Sequence, residues 1–462
     1  MKLFTKVIIH IFILIFLVSY SEEKMKSISL DEQDNILTLD KCISLVLSRN
    51  AFISSAFYSV KAREKEIDEA KANYYYPNID LGVKYMYQKE TPESTFPLAP
   101  HKFSTSLSIN KILYSFGRLG NQLSIAENNH RIAKLDYYKK RNDIVKSVIL
   151  SFYNVLLNQQ NLKVMHEGYL IQKENLEFHE RNYKIGKIPK FNYLRVKIQF
   201  EDDKINVMQA KNNLIKAINE LYTLIGMKLI SSLKEINFKI EGDFKLRNYN
   251  KIALNLDEYI HRGKHFRVEI LKLSTQKKNL ELGRDIANTG WKPIIVAFAS
   301  VTTDYTQKLE FAGVFPNISF GLGNFATTSN WNVGVQMTLS LSDLIIPNSK
   351  SHSKAKSMDY EAKSVNESLK DTVKLINQEI TQNYILFKEA ERNIKRRKLI
   401  MELSNENFRI VKKKYDTGGI DYLNYRDAEQ QYRLAQLSYN KELYSFNIAY
   451  INLLVSVGEP LR

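Results

Sequence analysis

The spacing of apolar residues changes period several times along the chain, and each change marks an element. From Leu39 to Tyr76, Ile43, Val46, Leu47, Phe57 and Val60 recur at helical intervals, with Thr38 placed to cap the first turn and Pro77 to end the run. Beyond Pro77 the period falls to two. Ile79, Leu81, Val83, Tyr85 and Tyr87 alternate with Asn78, Asp80, Gly82 and Lys84. After a Pro-rich loop, Lys89 to His101, the residues Phe103, Thr105, Leu107 and Ile109 alternate with Ser104, Ser106, Ser108 and Asn110. Two strands are predicted, each with one apolar and one polar face.

Helical spacing then returns and persists. Ala126, Ala133, Tyr137, Ile144, Val148, Phe152, Val155, Leu162 and Met165 lie at threes, fours and sevens between Arg118 and Ile185, where no proline intervenes. A rod of about 100 Å results from a rise of about 1.5 Å per residue. Phe191 to Ile225 predicts a return helix about half as long. Met227 to Asn255 mixes short extended runs, such as Ile236 to Ile240, with turn residues and reads as a small mixed layer.

The same programme is then written a second time. Tyr183-Lys-Ile-Gly-Lys-Ile-Pro-Lys-Phe-Asn192 aligns with Tyr415-Asp-Thr-Gly-Gly-Ile-Asp-Tyr-Leu-Asn424 at a constant offset of 232, which also relates Gly226 to Gly458. Each copy is a helical hairpin with a tight tip. Leu256-Asp257 repeats Leu39-Asp40, and the helix it opens runs to Trp291-Lys-Pro293. Strands are predicted at Ile294 to Thr302 and from Trp331 to Ser342, separated by a Gly/Asn/Thr-rich loop, Asp304 to Asn330. Ser349 to Tyr415 is the second rod and Tyr422 to Val457 its return. The predicted organisation is repeat one over 22–226, a mixed segment over 227–255 and repeat two over 256–462.

Composition narrows the compartment. Lys2 and Lys6 precede an apolar run from Val7 to Val18 and small residues at Ser19 and Ser21, so 1–21 reads as a secretory signal peptide. This run of twelve residues, apolar apart from His10, is too short to span a bilayer of about 30 Å, and no other stretch approaches a membrane-spanning helix. Loss of the leader takes the formal charge from +17 to +15. The lysines are scattered among glutamates along helical patterns, which favours a solvated surface over a nucleic-acid partner. The single cysteine, Cys42, reads as a small core residue.

Little in the chain suggests catalysis or a resident cofactor. Gly321 and Gly323 lie between strands rather than between strand and helix, and no nucleophile, base and acid group together. His261 and His265 stand four apart on a helix, but Arg262, Lys264 and Arg267 surround them and no carboxylate joins them, so no metal site is expected.

The strands and rods make one further demand. About ten alternating residues cross a bilayer when tilted, and Tyr74 to Tyr76, Trp291 and Trp331 are predicted at strand ends, where interfacial aromatics sit. Four strands cannot close a barrel, and an open edge is not tolerated in lipid, so several chains must supply the wall. The alternative is an exported structural filament or adhesin of coiled coils with a small β head.

The repeat order and the tip pattern Gly418-Gly-Ile-Asp-Tyr-Leu-Asn-Tyr-Arg-Asp-Ala428 resemble the TolC-like outer-membrane efflux proteins over essentially the whole mature chain. The resemblance implies an α+β membrane protein. It further implies a homotrimer with a twelve-stranded β-barrel, four strands per chain, that continues into a long periplasmic α-helical coiled-coil barrel with a mixed equatorial belt. It implies a passive exit duct that docks an inner-membrane pump through a periplasmic adaptor (membrane fusion) protein and exports drugs, metals or proteins. Gly186, Ile188, Pro189, Gly418, Gly419 and Ile420 are then candidate adaptor-docking residues, although glycine and proline also simply turn the chain. Acidic residues ring the closed mouth in that family. The matching positions here are Asn424 and Asp427, one amide and one acid, and Asp427 also suits the first turns of a helix. A mouth-closing link would fall between Tyr415 and Asn192, as a neutral hydrogen bond.

Overall fold

The computed structural model describes residues 36–87, 101–235, 238–242, 255–307 and 325–461. The leader, residues 89–100 of the Pro-rich loop, and residues 236–237 and 243–254 of the mixed segment lie outside these. In chain order the elements are β1 (Ile36–Leu37), α1 (Leu39–Arg49), α2 (Ala51–Tyr75), β2 (Asn78–Tyr87), β3 (His101–Tyr114), α3 (Arg118–Lys184) and α4 (Lys190–Ile225). The second half continues with β4 (Lys239–Ile240), α5 (Leu256–Phe266), α6 (Val268–Asn288), β5 (Ile294–Gln307), β6 (Phe325–Thr338), α7 (Leu341–Ile345), α8 (Lys350–Asp416) and α9 (Tyr422–Val457). Every bound of α3 and α4 recurs in α8 and α9 at the offset of 232.

Several expectations need correction. The helix predicted from Leu39 to Tyr76 is broken at Asn50, whose Oδ1 accepts the amides of Phe52 at 3.0 Å and Ile53 at 3.3 Å and so starts a new helix. Its counterpart breaks at Arg267, held by an ion pair to Glu379 at 2.9 Å and by donation to Ser456 O at 3.1 Å. The strands reach into the loop expected from Asp304 to Asn330, since β5 continues to Gln307 and β6 already begins at Phe325, and 308–324 lie outside the described residues. Trp331 is consequently in mid-strand rather than at an end. β6 stops at Thr338, and the chain then forms the short helix α7 rather than more strand.

Packing arranges these elements in three stacked rows. The strands form one antiparallel sheet in the order β2-β3-β5-β6. Beneath it α2, α3, α6 and α8 lie side by side, and towards the tips the row becomes α4, α3, α9 and α8. The two rods run through both helical rows. Each row has an open edge on either side.

Register separates the faces of the sheet. Val83 pairs with Thr105, Leu107 with Val301, and Val301 with Trp331, placing Ile79, Leu81, Val83, Leu107, Val301 and Trp331 on one apolar face. The opposite face carries Asp80, Lys84, Ser104, Ser106, Ser108, Ser300, Thr302, Asp304, Asn332 and Gln336. Ile294 to Val301 is apolar throughout in sequence, yet its pairings assign Ile295, Ala297, Ala299 and Val301 to the apolar face and Ile294, Val296 and Phe298 to the polar one. Phe298 covers Gly334, where a Cβ would lie 3.0 Å from the ring.

The core is duplicated as the chain is. In repeat one, Val145, Val148, Phe152 and Val155 of α3 meet Cys42 and Val46 of α1 and Leu214, Leu221 and Ile225 of α4. In repeat two, Ile380 and Phe387 of α8 meet Tyr259 of α5 and Phe446, Leu453 and Val457 of α9. Val148 and Ile380, Val155 and Phe387, Leu221 and Leu453 are equivalent pairs at the repeat offset. β1 pairs in parallel with β4, and Leu37, Ile230, Ile240 and Leu461 join the first cluster. The first and last described residues therefore meet Ile230 and β4 at mid-rod.

Candidate functional site

The tips turn where only glycine is unstrained. Gly186 and Gly418 come after α3 and α8 with φ of 73° and 76°, and each donates its amide back to a carbonyl of the last turn, Tyr183 O at 3.0 Å and Tyr415 O at 2.9 Å. Pro189 caps the entry to α4 and Asp421 that to α9. Asp421 Oδ1 accepts both the amide and the Nδ2 of Asn424 at 2.9 Å, so Asn424 serves the cap.

Between the two tips lies a cavity of about 700 Å³. Ile188 and Asn192 line it from the first tip, and Tyr415, Gly418 and Ile420 from the second. Phe178 and His179 of α3 form its inner wall. Tyr415 and Asn192 thus share a cavity, but no hydrogen bond joins them within the chain. Tyr415 instead stacks on Tyr425 with centroids 4.5 Å apart at 15°. Burial pushes the Tyr415 and Tyr425 phenols up from 10.0 to about 12. Asp427 is outside the cavity, exposed on α9, where its Oδ2 accepts from Gln431 Nε2 at 2.8 Å.

Behind the cavity is a buried ionic cluster that the sequence reading missed. Asp203 of α4, 1% exposed, receives Arg426 Nη2 at 3.0 Å and Arg433 Nη1 at 2.9 Å, both from α9. Glu429 pairs with Arg426 and lies 3.6 Å from Arg433 Nε. Two guanidinium groups thus face two carboxylates. Burial holds the Glu429 carboxyl above its ordinary range, against the pull of Arg433 and Arg426. α3 runs between α4 and α9, and Gly168 is where the charges cross it: a Cβ there would sit 2.6 Å from Arg433 Nη1. Gln172, one turn on, donates to Val196 O of α4 at 3.2 Å and to Tyr422 Oη of α9 at 2.6 Å. The signal was present as Arg426, Glu429 and Arg433, which fall on one helical face at spacings of three and four. Their partner lies more than two hundred residues earlier, beyond any local pattern.

Among the described residues no cluster of three or more metal-ligating side chains occurs. The rings of His261 and His265 are 4.7 Å apart with no third ligand. Cys42 is buried in the first core, which pushes its thiol up to about 12.

Long helical hairpins under a two-faced sheet are the fold of solved outer-membrane channels. Residues 42–227 match the family model described as outer membrane efflux protein. The CmeC outer membrane channel of Campylobacter jejuni superposes with a TM-score of 0.70 at 16% identity, over 95% of this chain and 90% of that one. The VceC outer membrane protein of Vibrio cholerae gives 0.68 at 14% identity over 92% and 97% of the two chains. The open state of the Neisseria gonorrhoeae MtrE outer membrane channel gives 0.68 at 16% over 96% of each. No curated protein matches the chain by sequence. The chain thus shares the fold of these outer-membrane channels, and its match to the outer membrane efflux protein model covers residues 42–227.

Proposed function

We propose that this protein is an outer-membrane exit duct. As a homotrimer it passively conducts substrates from an inner-membrane pump, through a periplasmic adaptor, in a tripartite efflux or type I secretion system. One observation carries the reading: sheet and helical rows are all unclosed on the same two sides. β2 and β6 are open sheet edges, which lipid does not tolerate. In the tip row the outer edges are α4 and α8, and both carry unpartnered apolar stripes. Phe191, Leu194, Ile198, Ile205 and Met208 are exposed on α4, and Leu399, Leu403 and Ile410 on α8. Copies related by rotation close all three rows at once, with twelve strands and a helical tube. The apolar sheet face then meets lipid and the polar face lines the lumen.

The tips take two roles in this reading. Gly186, Ile188, Pro189, Gly418, Gly419 and Ile420 present the surface that receives the adaptor. Three copies of Asp427 ring the mouth and hold cations there, as acidic rings do in channels.

Reconstitution of the purified mature protein in a planar bilayer tests the duct. Stepwise conductance from heat-resistant trimers is expected, whereas a water-soluble single copy without conductance refutes it. In the same recordings Asp427→Ala is expected to weaken block by multivalent cations. Unchanged block removes Asp427 from the mouth.

A further inference from the structure

Where the sheet meets the helices, a second cavity of about 600 Å³ lies outside the tip site. Its floor is apolar: Ile125 of α3, Ile286 and Ala287 of α6, Ile294 of β5 and Met358 of α8. Gly283 and Gly290 let neighbouring helices come close beside it; a Cβ on Gly283 would lie 2.8 Å from Met358 Sδ. The charged lining is mostly of one sign. Arg118, Lys292, Lys350 and Lys354 line the cavity, against a single carboxylate among the described residues, Asp343. Asp343 is already engaged by Ser351, whose hydroxyl donates at 2.7 Å and whose amide donates at 3.3 Å.

The cations differ in how firmly they are held. Arg118 Nη2 donates to Thr289 O at 2.9 Å, and the Lys292 ammonium lies 5.3 Å from the Phe116 ring centroid and 5.6 Å from that of Trp291. Lys350 and Lys354 are exposed and make no ion pair with a described residue. Ile294 and Thr338, at the upper edge, belong to the polar face of the sheet. In a closed barrel that face is the lumen, so the cavity opens on the path of the cargo. Its volume is within the range of about 300–1,000 Å³ that suits drug-sized molecules.

We propose that this cavity is a contact site for cargo in transit, and that the cargo class it favours is an amphipathic organic anion: an apolar body on the floor, an acidic group between Lys350 and Lys354. The inference rests on the duct reading only for its lumenal placement. Affinity stays modest by construction, because the two free cations are solvated and a conduit must release what it binds.

The test uses the full mature chain in a non-ionic detergent, with naphthalene-sulfonate as probe and naphthyl-trimethylammonium as its cationic counterpart. Equilibrium dialysis reads binding whether or not the protein conducts. Saturable binding of the sulfonate alone is expected, weakened about ten-fold in Lys350→Gln/Lys354→Gln, as loss of two partly exposed charges allows. Lys395→Gln/Lys398→Gln, an exposed pair elsewhere on α8, is expected to leave it unchanged. In planar bilayers the sulfonate is expected to block current with the same dependence on Lys350 and Lys354. No saturable binding, equal binding of the cation, or equal loss in both double variants overturns the site. Binding with the expected selectivity but no conductance refutes the duct and leaves the pocket standing. Binding with conductance but no block removes the site from the cargo path.

Discussion

Asp203 ties α4 to α9 because it is shared by two cations. Two guanidinium groups from α9 converge on one carboxylate of α4, and Gly168 leaves the space on α3 that lets them reach it. Asp203→Ala would leave Arg426 and Arg433 with Glu429 as their only counter-charge among the described residues; breaking a buried pair of this kind costs about 3–5 kcal/mol. We expect amides at the start of α9 and along the matching part of α4 to exchange faster with solvent in that variant, with the sheet unchanged, as read by hydrogen-exchange mass spectrometry. Equal exchange in variant and parent would show that the cluster does not stabilise the tips. The tyrosines nearby add a pH dependence. Tyr415 and Tyr425 have phenols raised from 10.0 to about 12 in the fold, so their contribution is present below pH 10 and is lost as pH rises through about 12. Tyrosinate absorbance should therefore show a late class that Tyr425→Phe diminishes, and tip exchange should accelerate across the same interval.

Among elements, the two αL glycines that end the return helices make a matched comparison. Gly226 and Gly458 have φ of 70° and 83°, so alanine is strained at both, by about 1–2 kcal/mol. Only at Gly458 would the new Cβ also meet backbone, 2.9 Å from Phe266 O and 3.2 Å from Arg267 N. Gly458→Ala is thus expected to lower the thermal stability of the assembled protein more than Gly226→Ala, and equal losses would place the whole effect in backbone strain. The same contact explains why one helix break was unreadable. Both tips and both rods are written locally, in Gly, Pro and a long apolar spacing, and their ends agree with the structure to within a residue or so. Asn50, by contrast, breaks a helix through a cap that its sequence permits but does not demand. Arg267 breaks one through Ser456, Glu379 and the approach of Gly458, all supplied by other parts of the chain. The faces of Ile294 to Val301 were likewise hidden, since alternation carries no information where both positions are apolar; pairing with Trp331, Val333 and Val335 decided them. The ionic cluster stayed hidden for the same reason, its halves being distant in sequence.

For the whole molecule, the open rows determine what a neighbouring copy must do. α4 and α8 are the outer helices of the tip row and run in opposite directions relative to the tips, so a head-to-tail contact between copies lays the α4 stripe along the α8 stripe. Heights along the axis then match without adjustment: at about 1.5 Å per residue, Ile205 lies about 24 Å from the first tip and Leu403 about 21 Å from the second. Ile205 is 47% exposed and Leu403 62%, so neither is committed within its own chain. Cysteines at both positions, Ile205→Cys with Leu403→Cys, are expected to oxidise into dimers and trimers on a non-reducing gel, and each single variant should give neither. Cys42 does not interfere, being fully buried with a thiol raised to about 12. A ladder that stops at three copies is the outcome that rotation by a third of a turn requires, whereas an open series of larger species would mean that the contact propagates instead of closing, and the lumen with it would be lost.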